Sequence, residues 1–233
     1  LGVERTPYCL CECEAEKRDK EEAEYKRRER QQRVEEMRKS GFPDSEMRNL
    51  KFSIDDGTNP KMSKIALNYV ENFKEMLDHN KGLLLFGDVG RGKTFYAACI
   101  VNALIDRGYP CMITNFSRLE KTIQERYDSR QQYIDGLNRF DLLAIDDLAA
   151  ERDTEYMNEI VQTIIDNRYR AGLPIIITTN LTAEELKNPV DVRKQRTYSR
   201  LLEMCIPIRV DGVDRRRERL KGDYDEFKEM LGL

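Results

Sequence analysis

The eight residues Gly87-Asp88-Val89-Gly90-Arg91-Gly92-Lys93-Thr94 satisfy the spacing G-x-x-x-x-G-K-[ST] without a gap. Such a loop does its work only between a buried strand and the first turn of a helix, so it constrains the fold around it. The flanks comply. Gly82-Leu83-Leu84-Leu85-Phe86 reads as a buried strand, and residues 94–105 read as the helix leaving the loop. The glycines let successive backbone N–H groups turn inward around phosphate oxygens, and the helix N-terminus adds partial positive charge. Residues Gly87 to Phe95 are therefore expected to cradle ATP or ADP. Lys93 would reach the β- and γ-phosphates and the Thr94 hydroxyl would bind Mg²⁺.

From residue 82 onward, strand and helix patterns alternate. Strands are expected over 82–87, 110–115, 141–146, 174–179 and 205–210, with Pro110 and Pro174 as the first residues of theirs. This alternation predicts an α/β fold with a five-stranded, mostly parallel sheet flanked by helices. The chain divides into a start and charged arm (1–40), a linker and leading helix (41–80), and an ATPase domain (81–233). Apolar residues from Ile65 to Leu77 recur at helical spacing over 61–78.

Residues 14–39 are almost all charged, with acid-first i,i+4 pairs such as Glu22/Lys26 and Glu24/Arg28. Each pair adds about 0.2–0.5 kcal/mol to a solvated helix. No apolar heptad seam accompanies them, which argues against a long coiled coil. The segment reads either as a helical spacer or as an arm presenting the N-terminus to a partner. Gly41-Phe42-Pro43 ends it.

A phosphate loop holds nucleotide but needs further groups to hydrolyse it. Leu142-Leu143-Ala144-Ile145-Asp146-Asp147 is an apolar strand ending in two acids, at the sheet edge where ligands of open α/β folds bind. Asp146 would coordinate Mg²⁺, and Asp147 could polarise the attacking water. Ile175-Ile176-Ile177-Thr178-Thr179-Asn180 is a second buried strand with a polar end. By composition Asn180 is a turn residue, or a group touching the γ-phosphate. An arginine in the helix Arg196–Glu203 could stabilise charge on the transferred phosphoryl group. The basic turn Gly212–Arg217 could contact nucleotide, DNA or solvent.

Taken in order, the phosphate loop, the I-D-D strand end, I-T-T-N, Y-S-R-L-L-E and G-x-D-x-R resemble the AAA+ ATPase domain of bacterial replicative helicase loaders of the DnaC/DnaI type. The resemblance covers about residues 45–220, and Thr114–Leu119 also fits it. IstB-type transposition ATPases and the DnaA initiator are similar. The resemblance implies that Lys93 and Thr94 serve phosphate and Mg²⁺, and that Asp146 and Asp147 are the Walker B pair. Asn180 is similar to the sensor 1 residue. Arg200 looks like the arginine finger acting on a neighbouring subunit's ATP. Arg216, rather than Arg215, looks like sensor 2. Two residues depart from the pattern. Arg91 occupies a loop position more often small or hydroxylated, and Ala149 stands where these loaders often have Gly, which stiffens the following turn.

Cys9-Leu10-Cys11-Glu12-Cys13 puts three thiols into a polar start. Zn²⁺ wants four ligands, so a zinc site over Cys9, Cys11 and Cys13 needs a ligand from a segment upstream of Leu1. The other reading is a frayed terminus with oxidisable thiols. Cys99, Cys111 and Cys205 sit in apolar contexts as inert buried thiols, which points to a reducing, cytoplasmic setting. A net charge of −3 gives no global nucleic-acid signature. No apolar run approaches the roughly 18 residues that span a membrane, and no secretory signal is present. What the resemblance implies as function is ATP-driven loading of a hexameric replicative helicase onto single-stranded DNA, with self-association through the ATP site. Phe116, Ser117, Arg118 and Lys121 could supply stacking and phosphate contacts for DNA. The alternatives are an IstB-like regulator of a transposase and, against the grain of the acid pair, a P-loop small-molecule kinase.

Overall fold

The five strands of this chain meet in a single parallel sheet: β1 (Gly82–Phe86), β2 (Cys111–Asn115), β3 (Leu142–Leu148), β4 (Ile175–Thr179) and β5 (Cys205–Arg209). The computed structural model describes residues 12–149, 154–215, 227–228 and 230–231. Strand order is β2-β3-β4-β1-β5, and every neighbouring pair is parallel. β2, β3 and β4 each begin one residue later than expected, so Pro110 and Pro174 lie just outside β2 and β4. Their carbonyls are used nonetheless. That of Pro110 accepts from the Asp141 N–H at 2.7 Å, and that of Pro174 accepts from the buried Arg168 guanidinium at 2.6 Å.

Alternation along the strands sorts the core into two layers. Leu83, Leu85, Ile113, Ala144 and Ile176 face one side, where they pack on α2 (Pro60–Glu71), α3 (Phe73–Asp78) and α4 (Lys93–Asp106). Leu84, Met112, Ile145, Ile175 and Ile177 face the other, against α5 (Phe116–Glu125), α6 (Arg130–Gly136), α7 (Glu155–Ala171) and α9 (Val192–Met204). All five residues of β4 are buried, which is why its sequence reads as an unbroken apolar run. Pro207 sits in β5, an edge strand that tolerates a missing N–H.

Helix ends follow local chemistry. Asn59 caps α2 by accepting from the Met62 N–H, with Pro60 in the first turn. Thr182 and Glu185 form a reciprocal capping box on α8 (Ala183–Lys187). The periodicity over 61–78 predicts one helix, but the structure breaks it at Asn72. There the side-chain amide donates to the Asn68 carbonyl at 2.8 Å, alongside the Asn72 backbone N–H at 3.0 Å.

The charged arm is a 30-residue helix, α1 (Glu12–Gly41). Its body is exposed, but Val34 and Met37 pack onto the α4 side of the core and Phe42 is fully buried. Among the described residues no helix is long and apolar enough to cross a membrane. The expected linker is not wholly irregular. It contains 3₁₀ turns at Glu46–Asn49 and Phe52–Ile54.

Candidate functional site

β4 lies between β1 and β3, so the carboxyl ends of these three strands open onto one crevice. The phosphate loop leaves β1, the paired acids end β3 and Asn180 follows β4. Together with the start of α4 they line a cavity of about 460 Å³.

Lys93 is buried, and its ammonium donates to the carbonyls of Gly87 (2.7 Å) and Asp88 (2.8 Å) and to Asn180 Oδ1 (2.7 Å). Gly92 precedes it with φ 90, a left-handed conformation that turns the chain into α4. Gly90 has φ 82, which likewise favours glycine, and the Asp214 carboxylate lies against it. Arg91 folds back on Asp88 at 3.3 Å, and Val89 is exposed at the loop tip.

The Thr94 hydroxyl donates to both oxygens of Asp146, at 2.9 and 3.0 Å. Adjacent hydroxyl and carboxylate oxygens of this kind suit Mg²⁺, which prefers one or two protein carboxylates plus phosphate and water. Thr178 completes the arrangement. Its hydroxyl donates to Asp146 Oδ1 at 2.6 Å and accepts from the Asp147 N–H at 2.8 Å. Asn180 Nδ2 donates to Asp147 Oδ1 at 3.1 Å while its Oδ1 receives Lys93. One amide thus joins Lys93 to Asp147.

Holding two consecutive acids at one point distorts the backbone. The β3–β4 register shifts between Ile145 and Leu148, and Asp147 has φ 65. A bulge of this sort re-aims side chains at a sheet end. Ala149 has φ 70, a conformation that favours glycine. For an alanine that conformation costs about 1–2 kcal/mol. Ala149→Gly is expected to stabilise the fold by about 0.5–1 kcal/mol after the added entropy of the unfolded chain is subtracted. It should appear as a higher denaturant midpoint at constant slope. An unchanged midpoint would rule out strain at this residue.

Burial pushes the Asp146 carboxyl above the ordinary aspartate range, against the hydrogen bonds from Thr178 and Thr94. The folded state then holds the proton more tightly than the unfolded one. Without metal the protein gains stability as pH falls through that raised value. Mg²⁺ requires the ionised form, so its affinity should be lost on acidification before exposed carboxylates titrate. Mg²⁺ titrations of the nucleotide complex over a pH series check this, and Asp146→Asn should remove the pH dependence.

Segments remote in sequence close the cavity. Arg215 lies over the rings of Phe95 (4.9 Å) and Tyr96 (5.4 Å). It also pairs with Asp55 (3.2 Å) and Asp56 (3.0 Å) and donates to the Tyr96 hydroxyl at 3.1 Å. Its backbone N–H donates to the Gly90 carbonyl. Arg215, Glu46 and Leu50 line the cavity, whereas Arg216 lies outside the described residues. Sequence reasoning missed Thr178, Glu46 and Leu50. The polar end of I-T-T-N was a usable signal for Thr178, but nothing in 44–50 marks a cavity wall.

Arg200 does not line this cavity. It pairs with Asp166 of its own chain and lies over the Tyr169 ring at 5.3 Å, while Arg196 stands 4.0 Å from the same carboxylate. Phe116 is buried in the α5 layer and offers no ring for stacking, though Ser117, Arg118 and Lys121 are exposed. Cys9 and Cys11 lie outside the described residues, as does the side chain of Cys13. Among the described residues no group of three or more His, Cys, Asp or Glu could hold a metal. Cys99, Cys111 and Cys205 are buried free thiols. Burial pushes those of Cys99 and Cys205 up to about 12 and Cys111 higher still, which makes them unreactive.

Comparison with known proteins agrees with this geometry. The replicative helicase loader DnaI of Bacillus subtilis (strain 168) is 27% identical over 205 residues, 81% of this chain and 65% of that protein. The replicative helicase loader DnaC of Escherichia coli (strain K12) is 30% identical over 126 residues, 52% of this chain and 51% of that one. The chain thus spans less than two thirds of either relative. A crystal structure of DnaI superposes with a TM-score of 0.60 at 23% identity, covering 73% of this chain and 95% of the other. The shared fold is that of AAA+ P-loop NTPases. Matched over residues 18–220, this chain belongs to the IstB-like ATP binding protein family.

Proposed function

We propose that this protein is an ATP-hydrolysing switch that loads a hexameric replicative helicase onto single-stranded DNA. The observation that carries hydrolysis is the bridge from Lys93 through Asn180 to Asp147. A γ-phosphate arriving at Lys93 meets Asn180 at the same point, and Asn180 passes its position to the acid. Preorganised groups of this kind stabilise the charge that develops on the transferred phosphoryl group. Mg²⁺ held by Thr94 and Asp146 would neutralise phosphate charge there.

Arg200 lies away from its own cavity, which suits action on a neighbouring subunit's ATP. Hydrolysis then depends on self-association, and loss of the γ-phosphate loosens the assembly. The helicase partner rests on the relatives named above, and single-stranded DNA on the resemblance of the sequence motifs. The exposed body of α1 is the surface we assign to the helicase, and a Zn²⁺ site over Cys9, Cys11 and Cys13 would belong to that end of the arm. Arg118 and Lys121 on the outer face of α5 suit DNA phosphates, and the cytoplasm is the compartment such a protein works in.

The family also includes transposition ATPases, which favours a second reading as a transposase regulator on double-stranded DNA. Phosphate release separates the two when measured with the source cell's replicative helicase and single-stranded DNA, or with a transposase and duplex DNA. ATP-dependent capture and stimulation by helicase with single strands support loading. Stimulation only by duplex and transposase sinks it.

A further inference from the structure

We infer that Asn102 is a positioning residue that ties the nucleotide cavity to the N-terminal arm, so that nucleotide binding and the seating of the arm depend on each other. The inference rests on the reading of the cavity as the nucleotide site.

Asn102 lies on α4, the helix that leaves the phosphate loop, and is 1% exposed among otherwise mostly apolar neighbours. A buried amide must have its polar atoms satisfied, and its three side-chain partners all lie outside α4. Its Oδ1 accepts from Arg38 of α1 at 2.6 Å. Its Nδ2 donates to the carbonyls of Met47 at 3.2 Å and Leu50 at 2.8 Å. Only one orientation of the amide fits, because carbonyls cannot donate and a guanidinium cannot accept.

These partners belong to two separate structures. Met47 lies in the 3₁₀ turn Glu46–Asn49 and Leu50 directly follows it, and Glu46 and Leu50 line the nucleotide cavity. Arg38 belongs to the end of the arm, does not line the cavity, and also pairs with Asp106 of α4. The two are joined a second time where Arg48 donates to the Phe42 carbonyl at 3.1 Å. The arm's end has little freedom to shift alone. Val34, Met37 and Phe42 pack in the same apolar layer as Met47 and Leu50, and a Cβ on Gly41 would collide with the Cys111 carbonyl.

A nucleotide that packs against Leu50 favours the state in which the 3₁₀ turn is seated. Seating that turn presents two carbonyls to Asn102, which fixes the amide and, through Oδ1, Arg38. Coupling of this kind is reciprocal. If nucleotide steadies the arm, then loosening the arm weakens nucleotide binding by the same factor.

The test uses the full chain and a non-hydrolysable ATP analogue with Mg²⁺. Arg38→Ala, at a residue outside the cavity, is expected to weaken analogue binding about 5-fold or more, the lower end of usual coupling. In the wild type the analogue should slow amide exchange over residues 34–41, and in Arg38→Ala that slowing should vanish. A merely structural role for Arg38 would lower thermal stability yet leave affinity unmoved. Arg38→Lys keeps the charge beside Asp106 without the guanidinium fork and should fall between the two. Unchanged affinity in Arg38→Ala, or exchange over 34–41 indifferent to nucleotide in the wild type, would overturn the inference. Failure of the wild type to bind the analogue at all would instead overturn the nucleotide reading of the cavity.

Discussion

Replacing Lys93 with alanine is expected to abolish measurable nucleotide binding. The ammonium is buried at the end of the loop, where it is already held by the Gly87 and Asp88 carbonyls and by Asn180. Bound phosphate would therefore meet a charge that needs no further ordering. Charge-assisted bonds of this kind are worth roughly 1.5–3 kcal/mol each. Losing those to two phosphates costs about 3–6 kcal/mol, or about 10²- to 10⁴-fold in affinity. The fold should survive, because water can reach the freed carbonyls from the cavity. Titration with a fluorescent ATP analogue, alongside a thermal melt, checks both halves. Affinity within tenfold of wild type would remove the lysine from the phosphate site.

Arg200→Ala is expected to leave ATP binding intact and to lower hydrolysis in the assembled state by about 10³-fold, the smaller end of what a finger arginine supplies. The structure sharpens this expectation in two ways. Arg200 does not line its own cavity, so an effect on ATP affinity has no direct route. It also holds Asp166 in a pair whose side chains are 18% and 13% exposed. Breaking a buried pair from one side commonly costs about 3–5 kcal/mol. Here Arg196, at 4.0 Å from Asp166, remains to pair with the carboxylate, and solvent screens the rest. The variant should fold with a modest loss of stability, so lost turnover can be read as chemistry. Phosphate release at rising protein concentration is the measurement. Full activity in the variant would end the finger assignment and, with it, the dependence on a neighbouring subunit.

Much of the site was legible before any fold was known, because its parts are local. A glycine-rich turn between an apolar strand and a helix needs only nearest neighbours to form, so Gly87 to Thr94 could be read directly. The paired acids and Asn180 could be read as strand ends for the same reason. The strand limits erred by a residue at Pro110 and Pro174, since pairing partners decide where a ladder begins. The helical spacing over 61–78 holds in α2 and α3, but apolar periodicity does not register the single residue, Asn72, that leaves helical geometry between them.

Residue type and spacing along the chain determined the phosphate loop, the α/β alternation and the order of the motifs, since each depends on contacts within a few residues. Only the tertiary structure decided that Thr178 holds both acids and that Asn180 joins Lys93 to Asp147. It alone placed Glu46, Leu50 and Arg215 against the cavity, and put Arg200 beside Asp166. Those contacts close loops of tens to more than a hundred residues. Their geometry is set by which strands lie side by side, and neither composition nor periodicity records that.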